Sequence, residues 1–307
     1  MKKILGFVVA LSLSAVALPM FFVPNAGATI DAPQCIVSLS PTATATLYAI
    51  GAGVQVQAVD ESSNFPAAAA KLSKEHQIDA LNPNIESLLG ICKVTKSHPS
   101  AKPDLVVISD DANSIQQDLT NEGVKVVEQG AATNVQSALQ QIEQLGVLTG
   151  HTKSADAIAA SMKKTINADI ASVPVHPTKK ISVYYEIAAN PYYSLTSQTF
   201  VGKLMKSLGL VNIADADATS ADAGYPELNA EYIVSSNPTL IFLAGDASVA
   251  SVAKRSGFDK VSAVVHHNVI ELNADIASQW GPRLVSLMNE LTTAVKHVLG
   301  EKNLWTK

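Results

Sequence analysis

The chain contains an internal repeat, in which one order of predicted elements occurs twice. Residues 84–108 and 229–243 both read as a helix, a turn marked by proline and a buried strand. The first strands of the two copies, predicted to begin at Ile36 and Ile181, lie 145 residues apart, and so do the openings of the two helices. Two similar halves predict two similar lobes, and clefts between lobes commonly bind small molecules.

The segment 1–28 has the pattern of a secretory signal peptide. Two lysines precede an apolar run over residues 4–23, and small residues at 26–28 form an A-x-A cleavage site. An uncleaved membrane anchor is the alternative, since an apolar run of about 20 residues is long enough to span a bilayer. A lipoprotein site is not indicated, because the residues before Cys35 are not the small and apolar ones of a lipobox. We predict a protein exported to the periplasm or the cell surface.

Charge limits the classes of partner that this chain can bind. Its formal net charge is −5, and loss of the two lysines of the signal peptide would make the mature charge −7. An acidic, exported chain without a basic cluster is a poor binder of nucleic acid. We therefore expect no nucleic-acid partner, and no segment after the signal peptide has the pattern of a membrane span.

Two cysteines remain after the signal peptide, and export would allow a disulfide between them to persist. Cys92 lies in a segment of 17 residues from Glu to Pro, 86–103, whereas its counterpart 231–238 spans 7. The longer segment is interpreted as an insertion that a disulfide to Cys35, just before the first strand, holds in place. The alternative is two free thiols.

Hydrophobic periodicity divides the mature chain into two α/β lobes. Short apolar runs separated by helical stretches predict a parallel sheet in each lobe. A helical pattern at 152–172 predicts a helix about 30 Å long, at about 1.5 Å per residue, which can cross from one lobe to the other. The predicted fold is two Rossmann-like lobes, at 29–150 and 175–307, joined by one long bridging helix within 151–174.

Several motifs resemble the substrate-binding proteins of ABC importers, in the class that carries iron-siderophores, haem and cobalamin. They are residues 36–44 with 49–53, residues 84–86 with 102–106, and the segment 280–283 that opens the last predicted helix. The resemblance implies two α/β lobes on one rigid helix, a small-molecule ligand between the lobes and a membrane permease as partner. We expect a monomer.

The resemblance also implies that the chain docks on the permease through Glu86 and Glu231. These residues occupy matching positions in the two lobes, so their carboxylates would meet two arginines on a two-fold symmetric permease. The alternative is that each acid stabilises the N-terminus of its own helix. Both interpretations can hold together.

The identity of the ligand stays open, because the sequence departs from the family pattern at several positions. Ala45 stands where the family often has an acid, and Ser62 and Ala80 stand near the places of aromatic residues in the cobalamin subgroup. Asp275, in contrast, matches an acidic ligand contact of that subgroup. The candidate ligands are ferric siderophores, cobalamin and haem.

Candidate ligand contacts lie in the loops at the carboxyl ends of the predicted strands. The segment 184–193 holds four of the seven tyrosines, and aromatic faces with hydroxyl ends suit a planar or macrocyclic ligand. Acidic residues in the first lobe suit a cationic ligand. The alternatives are internal packing for the tyrosines and solvent-facing turns for the acids. The predicted ligand-binding residues are Ser40, Pro41, Thr42, Asp60, Glu61, Asn64, Phe65, Asp110, Tyr185, Tyr192, Tyr193, Tyr225, Asp275, Trp280 and Arg283.

A metal site on the protein and an enzymatic activity are both disfavoured. The histidines are scattered, and zinc needs three or four convergent ligands, so we expect no protein-bound metal and no cofactor. The sequence contains no G-x-S-x-G motif and no evident pairing of a nucleophile with a histidine. The remaining alternative to transport is a sensor or adhesin module that keeps the same fold.

Overall fold

The structure, a computed structural model, describes residues 32–174, 180–217, 219 and 222–300. The predicted signal peptide lies outside these residues. Within the part of the chain that is described, none of the helices is both long and apolar enough to cross a membrane.

The N-terminal lobe is built on a four-stranded parallel sheet. Its strands are β1 (Ile36–Leu39), β2 (Val56–Val59), β3 (Leu105–Ile108) and β4 (Lys125–Glu128). Its helices are α1 (Pro41–Ala49), α2 (Ala67–His76), α3 (Ile85–Leu89), α4 (Ile115–Asn121) and α5 (Val135–Thr149). The strand order is β2-β1-β3-β4. The strands β1 and β3 are apolar or small and buried along their whole length, because helices cover both faces of the sheet.

The C-terminal lobe follows the helix α6 (Thr152–Ala171) and has a second parallel sheet. Its strands are β5 (Ile181–Glu186), β6 (Ala188–Ala189), β7 (Tyr192–Tyr193), β8 (Leu210–Asn212), β9 (Glu227–Leu228), β10 (Leu240–Leu243) and β11 (Val269–Glu271). Its helices are α7 (Phe200–Ser207), α8 (Ala230–Ser236), α9 (Val249–Val252), α10 (Ser262–Val265), α11 (Ala274–Ala277) and α12 (Leu284–Gly300). The order of the parallel sheet is β11-β10-β5-β8, and β6, β7 and β9 form a small antiparallel sheet beside it.

The internal repeat is present in the structure. Read from the opposite edge, the second parallel sheet has the order β8-β5-β10-β11, which is the same connectivity as β2-β1-β3-β4. The helices α3 and α8 also begin in the same way: the side chains of Asn84 and Asn229 each accept a hydrogen bond, 2.8 Å long, from the backbone N–H three residues later. The same local chemistry therefore starts the equivalent helix in both lobes.

The helix α6 joins the lobes, which confirms the predicted two-lobe fold. Its buried residues Ala155, Ala159, Met162 and Ile166 follow helical spacing and face one hydrophobic core. That core includes β1 and β3 of the first lobe, β5 and β10 of the second, and α12. Because α6 packs into a core shared by both lobes, it acts as a rigid connection.

A disulfide joins Cys35 and Cys92, as predicted, with their Cα atoms 6.0 Å apart. The inserted segment is also held by Asp104, whose carboxylate accepts a hydrogen bond from the Cys35 backbone N–H at 3.0 Å and lies 3.2 Å from the His98 ring. These contacts attach the insertion to the beginning of β1. A cross-link closing a loop of this length contributes about 4 kcal/mol in the chain-entropy model.

Candidate functional site

A pocket of about 760 Å³ lies between the two lobes. The first lobe contributes the loop between β4 and α5, and the second contributes the chain around the start of α7, the loop before β9 and the segment after α11. The described lining residues are Ala131, Ala132, Thr133, Leu195, Thr196, Ser197, Gln198, Thr199, Phe200, Val201, Lys203, Asp215, Thr219, Ala223, Gly224, Tyr225, Ala277, Ser278, Gln279 and Trp280. Aromatic faces and hydroxyl groups therefore surround the same space.

The start of α7 forms one wall of the pocket. Thr199 caps this helix by accepting a hydrogen bond, 3.1 Å long, from the Gly202 backbone N–H. A Cβ at Gly202 would collide with the carbonyl oxygen of Thr196, so this close approach of the chain to the helix requires glycine. Ser197 is fixed in turn by Asp215, whose two carboxylate oxygens accept from its backbone N–H and its hydroxyl, both at 2.7 Å.

The segment before α12 forms the opposite wall and lies against the first lobe. The indole Nε1 of Trp280 donates to Oε1 of Gln141 in α5, at 2.6 Å. A Cβ added to Gly281 would lie 3.0 Å from Oγ1 of Thr46 and 3.2 Å from Cγ2 of Thr42, both in α1. Trp280 is thus held at the boundary between the lobes.

Further contacts cross the cleft outside the pocket lining. Nδ2 of Asn64, after β2, donates to Oδ2 of Asp275, after β11, at 2.9 Å. The guanidinium of Arg283 lies 4.6 Å from the centre of the Phe65 ring, within the range of a cation–π interaction. On the pocket side, Lys203 donates to the carbonyl oxygen of Thr133 at 2.9 Å.

The structure divides the predicted ligand contacts into separate groups. Tyr225 and Trp280 line the pocket. Asn64, Phe65, Asp275 and Arg283 meet one another across the cleft, where a ligand would compete for the same polar groups. Glu61, Asp110 and Tyr193 are exposed at the surface but are not among the lining residues.

Two of the predicted contacts, Tyr185 and Asp60, have side chains that are buried inside a lobe and do not line the pocket. The ring of Tyr185 is 2% exposed and lies 6.4 Å from that of Phe242, centre to centre. Burial raises its pKa above the ordinary value, and the neighbouring Tyr225 and Glu290 raise that pKa further. Asp60 is 1% exposed, and its carboxylate accepts hydrogen bonds from the Ser62 backbone N–H and the Ser63 hydroxyl.

The remaining candidates stabilise the lobes that carry them. Ser40 is buried and caps α1, accepting from the Ala43 backbone N–H at 3.3 Å, while Pro41 is the first residue of that helix and Thr42 is buried in it. Tyr192 is half-buried and stacks on Phe258, with ring centres 6.1 Å apart. None of these four residues is in the pocket lining.

Sequence reasoning missed the wall formed by residues 195–203. The run of hydroxyl and amide residues at 196–199, directly before an apolar helix, was the available signal, since Ser and Thr there predict a helix cap. The loop 131–133 carried no comparable signal, because it consists of small residues. Its place in the pocket depends on the packing of the two lobes.

A metal site built from protein ligands is not found among the described residues, where no group of three or more His, Cys, Asp or Glu side chains could hold an ion. The described pocket lining has neither His nor Cys, and both oxygens of its Asp215 are hydrogen-bonded to Ser197. The described pocket lining therefore has no cluster of His, Cys, Asp or Glu side chains of the kind that holds a bare metal ion.

Comparison with known proteins places the chain in a family. Residues 36–276 match the periplasmic binding protein family. The chain belongs to this family. The match begins at β1 and ends within α11, so it includes both parallel sheets and α6, and it confirms the family predicted from the motifs and the predicted export.

Individual relatives agree over most of the chain. An uncharacterized ABC transporter substrate-binding lipoprotein of Bacillus subtilis, YvrC, is 30% identical over 271 residues, covering 86% of this chain and 80% of that protein. A cobalamin-binding protein of Halobacterium salinarum is 27% identical over 279 residues, covering 88% of this chain and 72% of the relative. The solved structure of a possible iron-binding (periplasmic solute-binding) protein from Staphylococcus epidermidis matches with a TM-score of 0.70 and 26% identity, covering 86% of this chain and 98% of that one.

Proposed function

We propose that the chain is the extracytoplasmic solute-binding component of an ABC importer. It captures a metal chelate or corrinoid-type ligand between its lobes, such as a ferric siderophore, cobalamin or haem, and delivers it to a membrane permease as a monomer. The observation that carries this proposal is the pocket of about 760 Å³ lined by both lobes of a periplasmic binding protein. Small-molecule pockets typically measure about 300–1,000 Å³.

The chemistry of the pocket suits such a ligand. Phe200, Tyr225 and Trp280 offer aromatic faces for a planar or macrocyclic body. The surrounding hydroxyl and amide groups can donate to and accept from the ligand's periphery. Asp275 and Arg283 are proposed as contacts at the edge of the cleft, made when the ligand replaces their present partners.

Binding rather than catalysis is inferred from the family. Its relatives are named as binding proteins, and the ligand would be released chemically unchanged. A chelated metal can be held through its organic ligand, without a cluster of metal-ligating side chains in the pocket.

Docking on the permease is proposed through Glu86 and Glu231. Both side chains are exposed and lie in the first turn of equivalent helices, α3 and α8. Their matching positions in the two lobes suit a partner with two-fold symmetry. Exposed charge pairs of this kind favour encounter rate and register.

The proposal is tested by thermal unfolding of the protein from residue 29 onward against cobalamin, cobinamide, haem, ferric hydroxamates and ferric catecholates. A ligand present at about 100 times its dissociation constant stabilises the folded state by about 2.7 kcal/mol. For a chain of this length, the midpoint should rise by about 2–4 °C for each kcal/mol. If none of these compounds shifts the midpoint, the proposed ligand class is wrong.

A further inference from the structure

The pocket carries balanced charge. Among its described lining residues, Lys203 is the cation and Asp215 is the carboxylate. Lys203 donates to the Thr133 carbonyl oxygen at 2.9 Å, and both oxygens of Asp215 accept from Ser197 at 2.7 Å. The described lining therefore holds no surplus cation to neutralise an anionic ligand.

Loops at the carboxyl edges of the two parallel sheets carry acids that lie outside the pocket lining. They follow the carboxyl ends of strands β2, β3, β10 and β11, and their acids at the surface are Glu61, Asp110, Asp111, Asp246 and Asp275. Arg283 is a cation that also lies at the cleft, and its guanidinium lies over the Phe65 ring. A cleft bordered by an excess of one sign of charge attracts ligands of the opposite sign and repels those of its own.

The uncharged polar side chains of the pocket lining can form hydrogen bonds with a ligand whose surface is polar but neutral. Its hydroxyl and amide side chains are Thr133, Thr196, Ser197, Gln198, Thr199, Thr219, Ser278 and Gln279. Hydroxyl groups both donate and accept hydrogen bonds, and amides offer both functions at separate atoms. Such groups can pair with peripheral amides and hydroxyls without neutralising a charge.

From this charge distribution we infer that the cargo is a neutral or cationic chelate with amide or hydroxyl groups at its periphery. Its metal is held by the chelate's own donor atoms rather than by a cluster of protein ligands. Chelates that carry free carboxylates or anionic catecholates are disfavoured. The inference rests on the proposed function, and it narrows the ligand class of the same pocket.

The test is calorimetric titration with four probes at low and at high salt: cyanocobalamin, ferrioxamine B, haemin and ferric enterobactin. Cyanocobalamin is neutral and ferrioxamine B is cationic, whereas haemin and ferric enterobactin are anionic. We expect the neutral or the cationic probe to bind about tenfold or more tightly than either anionic probe at low salt. Affinity for a cationic probe should weaken as salt rises, because salt screens the exposed acids.

A matched pair of variants at Ala131, an exposed residue of the pocket lining, isolates the effect of charge. Ala131→Lys adds a cation, and Ala131→Met adds a side chain of similar length without one. We expect Ala131→Lys to bind haemin about tenfold more tightly than Ala131→Met does. Equal affinity of the two variants for haemin would overturn the inference.

The results of these titrations distinguish a failure of the inference about ligand charge from a failure of the proposed binding function. Tightest binding of haemin or ferric enterobactin to the unchanged protein would overturn the inference and leave the proposed function standing. If the folded protein binds none of the four probes, the proposed function is wrong and the inference falls with it.

Discussion

At the scale of single residues, the structure distinguishes carboxylates that border the cleft from carboxylates that are buried beneath it. Asp60 directly follows β2 and Glu61 begins the exposed loop, yet Asp60 is 1% exposed. The Ser63 hydroxyl connects it to Thr44, at 3.0 Å, and Thr44 donates to Ser38 at 2.8 Å. Asp60 thus holds the loop that carries the contacts to the second lobe.

Asp60 should make stability depend on pH. Burial raises its pKa above the ordinary 3.8, although the hydrogen bonds from Ser63 and Ser62 oppose this increase. A carboxyl with a higher pKa in the folded state binds its proton more tightly there, so its contribution to stability falls as pH rises from the unfolded-state pKa to the folded-state pKa. Asp60→Asn removes this titration. The variant should gain stability relative to the wild type as pH rises, by about 1.4 kcal/mol for each pH unit that separates the two pKa values.

Urea unfolding of the wild type and Asp60→Asn at pH 4, 5.5 and 7 measures this difference. A stability difference that stays constant across these pH values would show that Asp60 titrates normally. The asparagine variant can keep the hydrogen bond from the Ser62 N–H, so loss of the loop itself is not expected.

The sequence predicts some residues of the candidate site, but it does not predict which of the tyrosine side chains are buried. The polar loop before Pro226 predicts Tyr225, and the family resemblance of the segment that opens the last helix predicts Trp280; both line the pocket. Tyr184 and Tyr185 alternate along β5, which favours one side chain in the core and one outside it. Both are buried, because β5 is an interior strand of a parallel sheet that is covered on each face.

At the scale of elements, a buried ion pair fixes the hairpin of β6 and β7. Oε1 of Glu186, at the end of β5, accepts from Nη2 of Arg255 at 2.8 Å. The same guanidinium lies 5.3 Å from the ring centre of Tyr192 in β7 and 5.5 Å from that of Phe258. The Glu186 carboxylate is 1% exposed, and it also accepts from the Tyr184 hydroxyl at 3.1 Å.

Removing one partner of this pair should destabilise the C-terminal lobe strongly. Arg255→Met leaves the Glu186 carboxylate buried without its cation, which costs about 3–5 kcal/mol in comparable cases. The exposed neighbour Lys254 provides a matched control, because Lys254→Met removes a cation that the fold does not bury. The free energy of unfolding in urea measures both changes.

The double variant Glu186→Gln with Arg255→Met removes both charges and should recover part of the loss. An Arg255→Met protein whose free energy of unfolding is within about 1 kcal/mol of the wild type would contradict this account.

Local signals predicted some elements and missed others. Asn84 and Asn229 predict helix starts because the capping hydrogen bond is made within one turn of chain. Tyr192 and Tyr193 were predicted in a loop, but they form β7 through pairing with Glu227 and Leu228. The strand β7 also pairs with its near neighbour β6, but its partner β9 lies more than 30 residues away and leaves no local pattern, so the pairing with β9 was not predictable in this way.

At the scale of the whole molecule, two helices connect the lobes. The helix α6 runs through the shared core, and α12 packs along it after the chain at Gly281 has crossed against α1. The Trp280–Gln141 hydrogen bond lies at the same crossing. Two packed helices resist a wide hinge opening, so we expect small changes in the angle between the lobes when ligand binds.

Transport should depend on Glu86 and Glu231 without any effect on ligand affinity. Reversing both charges, Glu86→Lys with Glu231→Lys, should reduce cellular uptake of the cargo about tenfold or more, because each carboxylate would be replaced by a cation that repels its partner on the permease. The control Glu75→Lys reverses an exposed charge on α2. Uptake that is the same in the double variant and the control would exclude the docking proposal.

The central claim is that the pocket between the lobes holds the cargo, and calorimetric titration of two tyrosine variants tests it most directly. Tyr225 lines the pocket, whereas Tyr193 is equally aromatic and exposed but does not. With the chelate that stabilises the wild type, Tyr225→Ala should weaken binding by about 1 kcal/mol or more, roughly fivefold, through loss of an aromatic face. Tyr193→Ala should retain the affinity of the wild type, and the reverse result would place the ligand outside this pocket.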